Sequence, residues 1–376
     1  MRIRSALAVG MLLVGAAVMP PQAGAQADEL RAIAEAAMEA RGQVLMGRSA
    51  EAALQGNARA QQIRAAMAAP FQSAATERQG YTAARLQIPR VESQVRVTDT
   101  RVEGERATVT ANVQTTVHLG GVQGAPDRTV ETMPHVFTYE RRNGQWELVE
   151  DRVSDPFRQA VQDTFPRVAP PALPGPSSVD RNGPKRTPPR ARPAGGGYLP
   201  PATLFGARTF GTLNPSAVVS YARSYALSYN GSYRDFNNSG TQGGDCTNFA
   251  SQAMRAGGWP DVGGYLNRTG YEAWWYDTFT QTYTWVNAHY FYVWTSNNRA
   301  SRADNVYNLE PGDVLQMDFD ANGDIDHTTI VTKKDANGMI YLSYHTSNTL
   351  DKPFTTFQSQ VSSSTRYYGH WLWYSF

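Results

Sequence analysis

The spacing of apolar residues changes along this chain, and each change marks an element. Between residues 27 and 69, Leu30, Ile33, Ala37 and Met38 fall on one stripe among Ala, Glu, Arg and Gln. That spacing predicts one or two amphipathic helices, stopped by Pro70. From Tyr81 onward the pattern shortens to alternation. Val109, Ala111, Val113 and Val117 share one side of a predicted half-buried strand. Pro134–Glu140 and Gln145–Val149 flank Arg142-Asn143-Gly144, which predicts a hairpin.

The second half repeats the sequence of helices followed by strands. Asn214-Pro215 caps and starts a helix through about Tyr229, with Val218, Val219 and Ala222 inward, and Asn230-Gly231 ends it. Phe249, Ala250, Ala253 and Met254 then recur at helical spacing until Gly257-Gly258. Strands are predicted near Asp313–Met317, His327–Thr332, Met339–His345 and Tyr367–Trp373. Asp335-Ala336-Asn337-Gly338 joins two of them. A three-residue loop there puts His327 and His345 on one face; a two-residue Asn337-Gly338 turn instead brings Asn348 to His327 and turns His345 away.

Between the halves, residues 166–202 are dense in proline, with Gly195-Gly196-Gly197 adding slack. Proline removes backbone donors and fixes φ, so this stretch reads as a linker, and its arginines as a solvated basic face. The chain divides into an N-terminal α+β domain at 28–160, the linker, and a second α+β domain at 204–376.

Composition adds a compartment. Met1-Arg2-Ile3-Arg4, the apolar run Ser5–Met19 and the small residues Ala23-Gly24-Ala25 predict a secretory signal peptide over residues 1–25. The apolar run is too short to span a bilayer comfortably, and no later segment predicts a membrane anchor. The mature chain is thus expected to be secreted. Its formal net charge of +2 includes Arg2 and Arg4, so after cleavage no strong nucleic-acid footprint remains.

The chain holds one cysteine, Cys246. Outside the cell paired cysteines form disulfides, and a lone thiol is a liability unless it has a use. Cys246 sits where Gly243-Gly244-Asp245 feeds the N-terminus of a buried helix, with Asp245 able to cap it. Free N–H groups and the dipole there favour thiolate, which makes Cys246 a candidate nucleophile. A thiol nucleophile needs a base and the base an orienting partner. His327, opening its strand after an acidic turn, is the candidate base; His345 or Asn348 is the partner. Residues 264–300 are rich in aromatics, and Trp274 and Trp275 could line a groove that stacks on sugar or peptide. Asp245 and Asn248 complete the candidate binding set. His118 and His135 read as surface or strand histidines. Asp318-Phe319-Asp320-Ala321-Asn322-Gly323 opens like a calcium loop, but Thr329 stands where the bidentate glutamate is needed, so it reads as an acidic turn and no metal or cofactor is expected. No H-E-x-x-H or G-x-S-x-G motif is present.

Gly244–Gln252, preceded by Tyr221-Ala222 and Tyr229-Asn230, is followed in order by Pro311-Gly312-Asp313-Val314, Asp326–Val331 and Tyr344-His345-Thr346. These motifs resemble the putative amidase domain of secreted bacterial proteins over about residues 215–376. That family is similar to the papain-like group containing NlpC-type cell-wall peptidases. The resemblance implies a nucleophile helix packed on an antiparallel sheet. It implies Cys246 as nucleophile, His327 as general base and acid, and His345 as orienting residue. NlpC-type sequences often carry tyrosine just before the nucleophile, where this chain has Asp245; the Cys246 backbone N–H is the expected oxyanion donor. The implied substrate is an amide in a peptide or peptidoglycan stem. The N-terminal half, about 28–155, resembles the cone-shaped nuclear-transport-factor-like domains. A catalytically inactive wall- or glycan-binding protein on the same fold is the alternative.

Overall fold

A computed structural model of the chain describes residues 21–153, 174–193, 211–237 and 244–376. Most of the expected signal peptide, residues 1–20, lies outside the described residues.

Four helices open the described chain: Pro21–Leu45, Ala50–Gln55, Ala60–Ile63 and Ala68–Ala83. Leu30, Ile33, Ala37 and Met38 are buried together, as their spacing predicts. Pro70 does not stop the helices. It lies in the first turn of Ala68–Ala83, where backbone N–H groups lack helical partners and a missing one costs nothing. Four strands follow as an antiparallel meander: β1 (Gln87–Glu103), β2 (Arg106–Gly120), β3 (Arg128–Arg142) and β4 (Gln145–Val153). Arg142 faces Gln145 across Asn143-Gly144, both with positive φ, the left-handed pair a tight hairpin needs.

The second half adds β5 (Ala300–Ala303), β6 (Val314–Asp318), β7 (His327–Lys334), β8 (Ile340–Tyr344), β9 (Asn348–Pro353) and β10 (Arg366–Leu372). The two halves share one ten-stranded sheet in the order β1-β2-β3-β9-β8-β7-β6-β10-β5, with β4 also on β3. The seam is β3 against β9, at Val130↔Leu350, Glu131↔Thr349 and Thr132↔Asn348. Because β4 covers β3 only from His135 onward, the start of β3 offers bare backbone groups that β9 pairs. The seam is closed by a buried ion pair, Lys352 Nζ to Glu131 Oε1 at 2.6 Å. Beside it the halves enclose a cavity of about 960 Å³. Polar groups on its wall pair among themselves: Arg41 with Glu77, Lys352 with Glu131, His135 with Asp151.

The described part of the expected linker, 174–193, is a strap packed on the second half. Ser177 N donates to Tyr367 O at 2.7 Å, and Arg190 grips Asp313 through two hydrogen bonds of 2.5 and 2.9 Å. Arg186 pairs with Asp304 at 2.8 Å, so these arginines serve the fold's own carboxylates.

The sheet separates two cores. Leu315, Met317, Val331, Leu342 and Tyr344 face the N-terminal helices' core, while Val314, Ile330 and Leu372 face the helices of the second half. Trp259, Trp274, Trp285, Trp294 and Phe291 fill the second core. Among the described residues no helix is long and apolar enough to cross a membrane.

Candidate functional site

The helix Cys246–Ala256 begins with the thiol. Gly244 enters it at φ +112°, and a Cβ there would stand 2.9 Å from Thr346 Oγ1, so only glycine lets the loop after β8 close over the helix start. Asp245 does not cap the helix with its side chain. Its Oδ1 accepts from Phe236 N at 3.0 Å and Asn248 Nδ2 at 2.8 Å, and its Oδ2 lies 2.6 Å from His345 Nδ1. His345 Nε2 donates to the Tyr225 carbonyl at 2.7 Å. The imidazole is sandwiched by Phe249 and Tyr229, ring centroids 4.3 and 4.5 Å away. Asp245 and His345 therefore form a buried, hydrogen-bonded acid–imidazole pair directly before the cysteine.

The Cys246 sulfur is 4% exposed and set among hydroxyls. Thr247 Oγ1 is 3.7 Å from Sγ, and Thr328 Oγ1 is 2.9 Å from Thr247 Oγ1. Burial pushes the thiol up from its ordinary value. Hydrogen bonds from the Thr247 side chain, the Thr328 backbone and the Thr346 side chain pull it back, and the Asp245 charge adds to the rise. Desolvation thus outweighs the hydrogen bonds that favour the thiolate. Thr247 Oγ1 is the hydrogen-bond partner of Sγ, while the His345 imidazole is engaged on Asp245 and the Tyr225 carbonyl.

The expected triad is not brought together. His327 pairs opposite Met317 and shares its face, toward the N-terminal core, where its ring meets Tyr344 edge-on at 5.0 Å and stacks on Phe319 at 6.0 Å. Thr328, its neighbour, takes the face toward the cysteine helix. The hairpin itself forms the three-residue way, with Asp335 N donating to Met339 O at 3.0 Å and Gly338 at φ +76°. A bulge then undoes the register. Lys333 pairs with Tyr341, but Val331 pairs with Leu342 and Ile330 with Ser343, leaving Thr332 as the extra residue. One extra residue moves the β7 side chains before it, residues 327–331, to the other face relative to β8. His327 and His345 consequently lie on opposite faces, and His345 orients on Asp245 rather than on His327.

The binding candidates also resolve into structure. Trp274 and Trp275 are buried: Trp274 stacks on Trp294 at 5.4 Å and donates to Ser251 Oγ, and Trp275 donates to Gly264 O. Trp274 is claimed for the core by packing against Trp259, Trp285 and Trp294, and Trp275 is buried beside it. Asn248 is a brace, accepting from Trp285 Nε1 at 2.7 Å while donating to Asp245. Asn348 accepts from Tyr229 OH at 3.0 Å, three residues beyond His345. Of the candidate histidines at the strands of the first half, His135 is buried on Asp151 at 2.7 Å and His118 is near the surface beside Arg90. Asp318, Asp320 and Asp326 bring carboxylate oxygens within 4.8 Å of one another, and burial with the neighbouring aspartates pushes Asp326 up to about 6.

Burial holds His327 neutral, its pKa lowered from 6.5 to about 3. The unfolded chain takes that proton first, so the associated stability is present above pH 6.5 and is lost as pH falls toward 3. His327→Phe is expected to flatten the acid limb of the stability profile by about 1.4 kcal/mol per pH unit between pH 6 and 4. Urea unfolding at a series of pH values measures it; parallel profiles for the two proteins would refute a neutral buried imidazole.

Residues 212–368 match the family described as "Putative amidase domain", so this part of the chain is similar to amidase-like domains. The chain is 37% identical over 125 residues to "Uncharacterized protein YhbB" of Bacillus subtilis (strain 168), covering 32% of this chain and 37% of that protein. It is 35% identical over 148 residues to "Uncharacterized protein YjcM" of the same organism, covering 36% of this chain and 32% of that protein. The chain thus spans about a third of the length of these curated relatives. No solved structure matches it.

Proposed function

We propose that the second half hydrolyses an amide bond through Cys246, with His345 as proton carrier and Asp245 as its orienting partner. The observation that carries this reading is the 2.6 Å contact between Asp245 Oδ2 and His345 Nδ1 at the residue preceding the thiol. A carboxylate on Nδ1 leaves Nε2 as the nitrogen that moves protons, the division of labour of an acid–imidazole–nucleophile site. In the acylation step Cys246 sulfur, as thiolate, attacks the carbonyl. The backbone N–H at the helix start faces the oxyanion, and Nε2 exchanges Tyr225 O for the leaving nitrogen and protonates it. Water then cleaves the thioester, with Nε2 taking its proton. A papain-like, NlpC-type layout for this half and a nuclear-transport-factor-like layout for the first are consistent with the helices on each side of the sheet.

The substrate class we propose is an amide in peptidoglycan stem peptides or other peptides met outside the cell, on the strength of the signal-peptide pattern. The test is digestion of purified cell wall and of stem peptides, with mass spectrometry reading new amine ends and Cys246→Ala as control. New ends with the unaltered protein alone support the reading. The 4% exposure of Cys246 favours a second reading, a wall-binding protein without turnover. Wall binding equal in both proteins, with no new ends from either, would replace the first reading with the second.

A further inference from the structure

We propose that Thr247, Thr328, Gln316 and His370 form a one-way hydrogen-bond chain that ends on the Cys246 sulfur and favours its thiolate. The proposal deepens the reading of Cys246 as nucleophile and rests on it. Each link has its direction set by the one before. Gln316 Nε2 lies 2.9 Å from the Ala288 carbonyl, which only accepts, so the amide's nitrogen end is assigned by its partner. The same nitrogen donates its second hydrogen to Thr328 Oγ1 at 2.8 Å. Gln316 Oε1 then accepts from His370 Nε2 at 2.9 Å, which puts the histidine's proton on Nε2. Thr328, having accepted from Gln316, gives its own hydrogen to Thr247 Oγ1 at 2.9 Å. Thr247 in turn has its hydrogen left for Sγ, 3.7 Å away.

The chain runs His370 → Gln316 → Thr328 → Thr247 → Cys246, every donor aimed toward the sulfur. Its members are all buried, so the dipoles act in a low-dielectric interior and polarise one another. A negative sulfur gains from that alignment, and a neutral thiol gains less. Burial lowers the His370 pKa to about 3, so the ring stays neutral at working pH and the direction holds. Other titratable groups around the sulfur act differently. Asp245 opposes the thiolate from its own segment, His345 is engaged on Asp245, Tyr229 is held by Asn237 and Asn348, and β7 turns His327 to the opposite core. All four chain members are buried and act through the sulfur, so they are positioning residues.

The readout is the pH titration of the thiolate's ultraviolet absorbance, taken as the difference from Cys246→Ala in the full chain. One cysteine makes the signal single-site, and no reagent has to reach it. Thr328→Val keeps the shape and removes the hydroxyl; the midpoint is expected to rise by about one pH unit, a tenfold smaller thiolate fraction. Thr328→Ser is expected to restore it, and His370→Phe to shift it the same way by less. A folded Thr328→Val protein with an unchanged midpoint overturns the chain. If that variant does not fold, Thr247→Val breaks the next link and is read in the same way. Shifted midpoints with no hydrolysis by any protein would leave the chain standing and remove the nucleophile reading. Unshifted midpoints with hydrolysis intact would do the reverse.

Discussion

His345→Gln is expected to slow amide hydrolysis by about 10²–10⁴-fold, while His327→Gln slows it by less than about tenfold in protein that remains folded. The reason is placement. His345 sits on Asp245, the residue before the thiol, and stacks on Phe249 of the cysteine helix. His327 faces the N-terminal core behind the sheet. Glutamine keeps a hydrogen-bonding amide near the position of the ring but cannot carry a proton, so kcat falls more than KM rises. Asp245→Asn is expected to follow His345→Gln in direction, since an amide cannot hold the imidazole's orientation as a carboxylate does. Steady-state rates on the cleaved stem peptide, with circular dichroism as a check on folding, measure all three. A dead but folded His327→Gln beside an active His345→Gln would return the base to β7 and reject the assignment made here.

Glu131→Gln is expected to destabilise the protein by about 3–5 kcal/mol, read by urea unfolding. Glu131 on β3 and Lys352 on β9 close the seam between the halves, and Lys352 is 1% exposed. Burial alone would lower the ammonium's pKa; the charges of Glu131, Tyr344 and Glu77 outweigh it and raise it. Removing the carboxylate strands a charge that water cannot reach, and the hydrogen bond to Gln360 at 2.8 Å supplies only part of what is lost. Pairing Glu131→Met with Lys352→Met is expected to recover most of the loss, because no buried charge then remains. A change under about 1 kcal/mol in the single variant would mean that the seam is held by its backbone pairing and apolar contacts instead.

Several elements were legible in order. The stripe Leu30–Met38, the Asn143-Gly144 hairpin, the helix starting at Pro215 and the Cys246 helix all form where periodicity and turn chemistry predict. These are local signals: spacing sets a face, and glycine or asparagine sets a turn. β1 was not individually foreseen: it alternates only between half-buried and exposed positions, with Ser93 among the inward ones beside Val91, Val95 and Val97, so its apolar signal is weak. The aromatic stretch misled for a related reason. Composition shows that Trp274 and Trp275 are large and apolar but not whether other tryptophans cover them.

The amino-acid sequence by itself determined that this chain carries a single thiol at a helix start, inside an amidase-type motif series, beyond a first half of helices and alternating strands. Only the tertiary structure decided which imidazole faces the helix that carries that thiol: His345 stacks on Phe249. One extra residue at Thr332 turns His327 to the far core, and β7 is buried on both faces there, so its residues show no polar–apolar alternation from which the bulge could be read. The fusion of both halves into one sheet was likewise decided in three dimensions. Whether an edge such as the start of β3 stays bare depends on which distant strand can reach it, and β9 lies more than two hundred residues downstream.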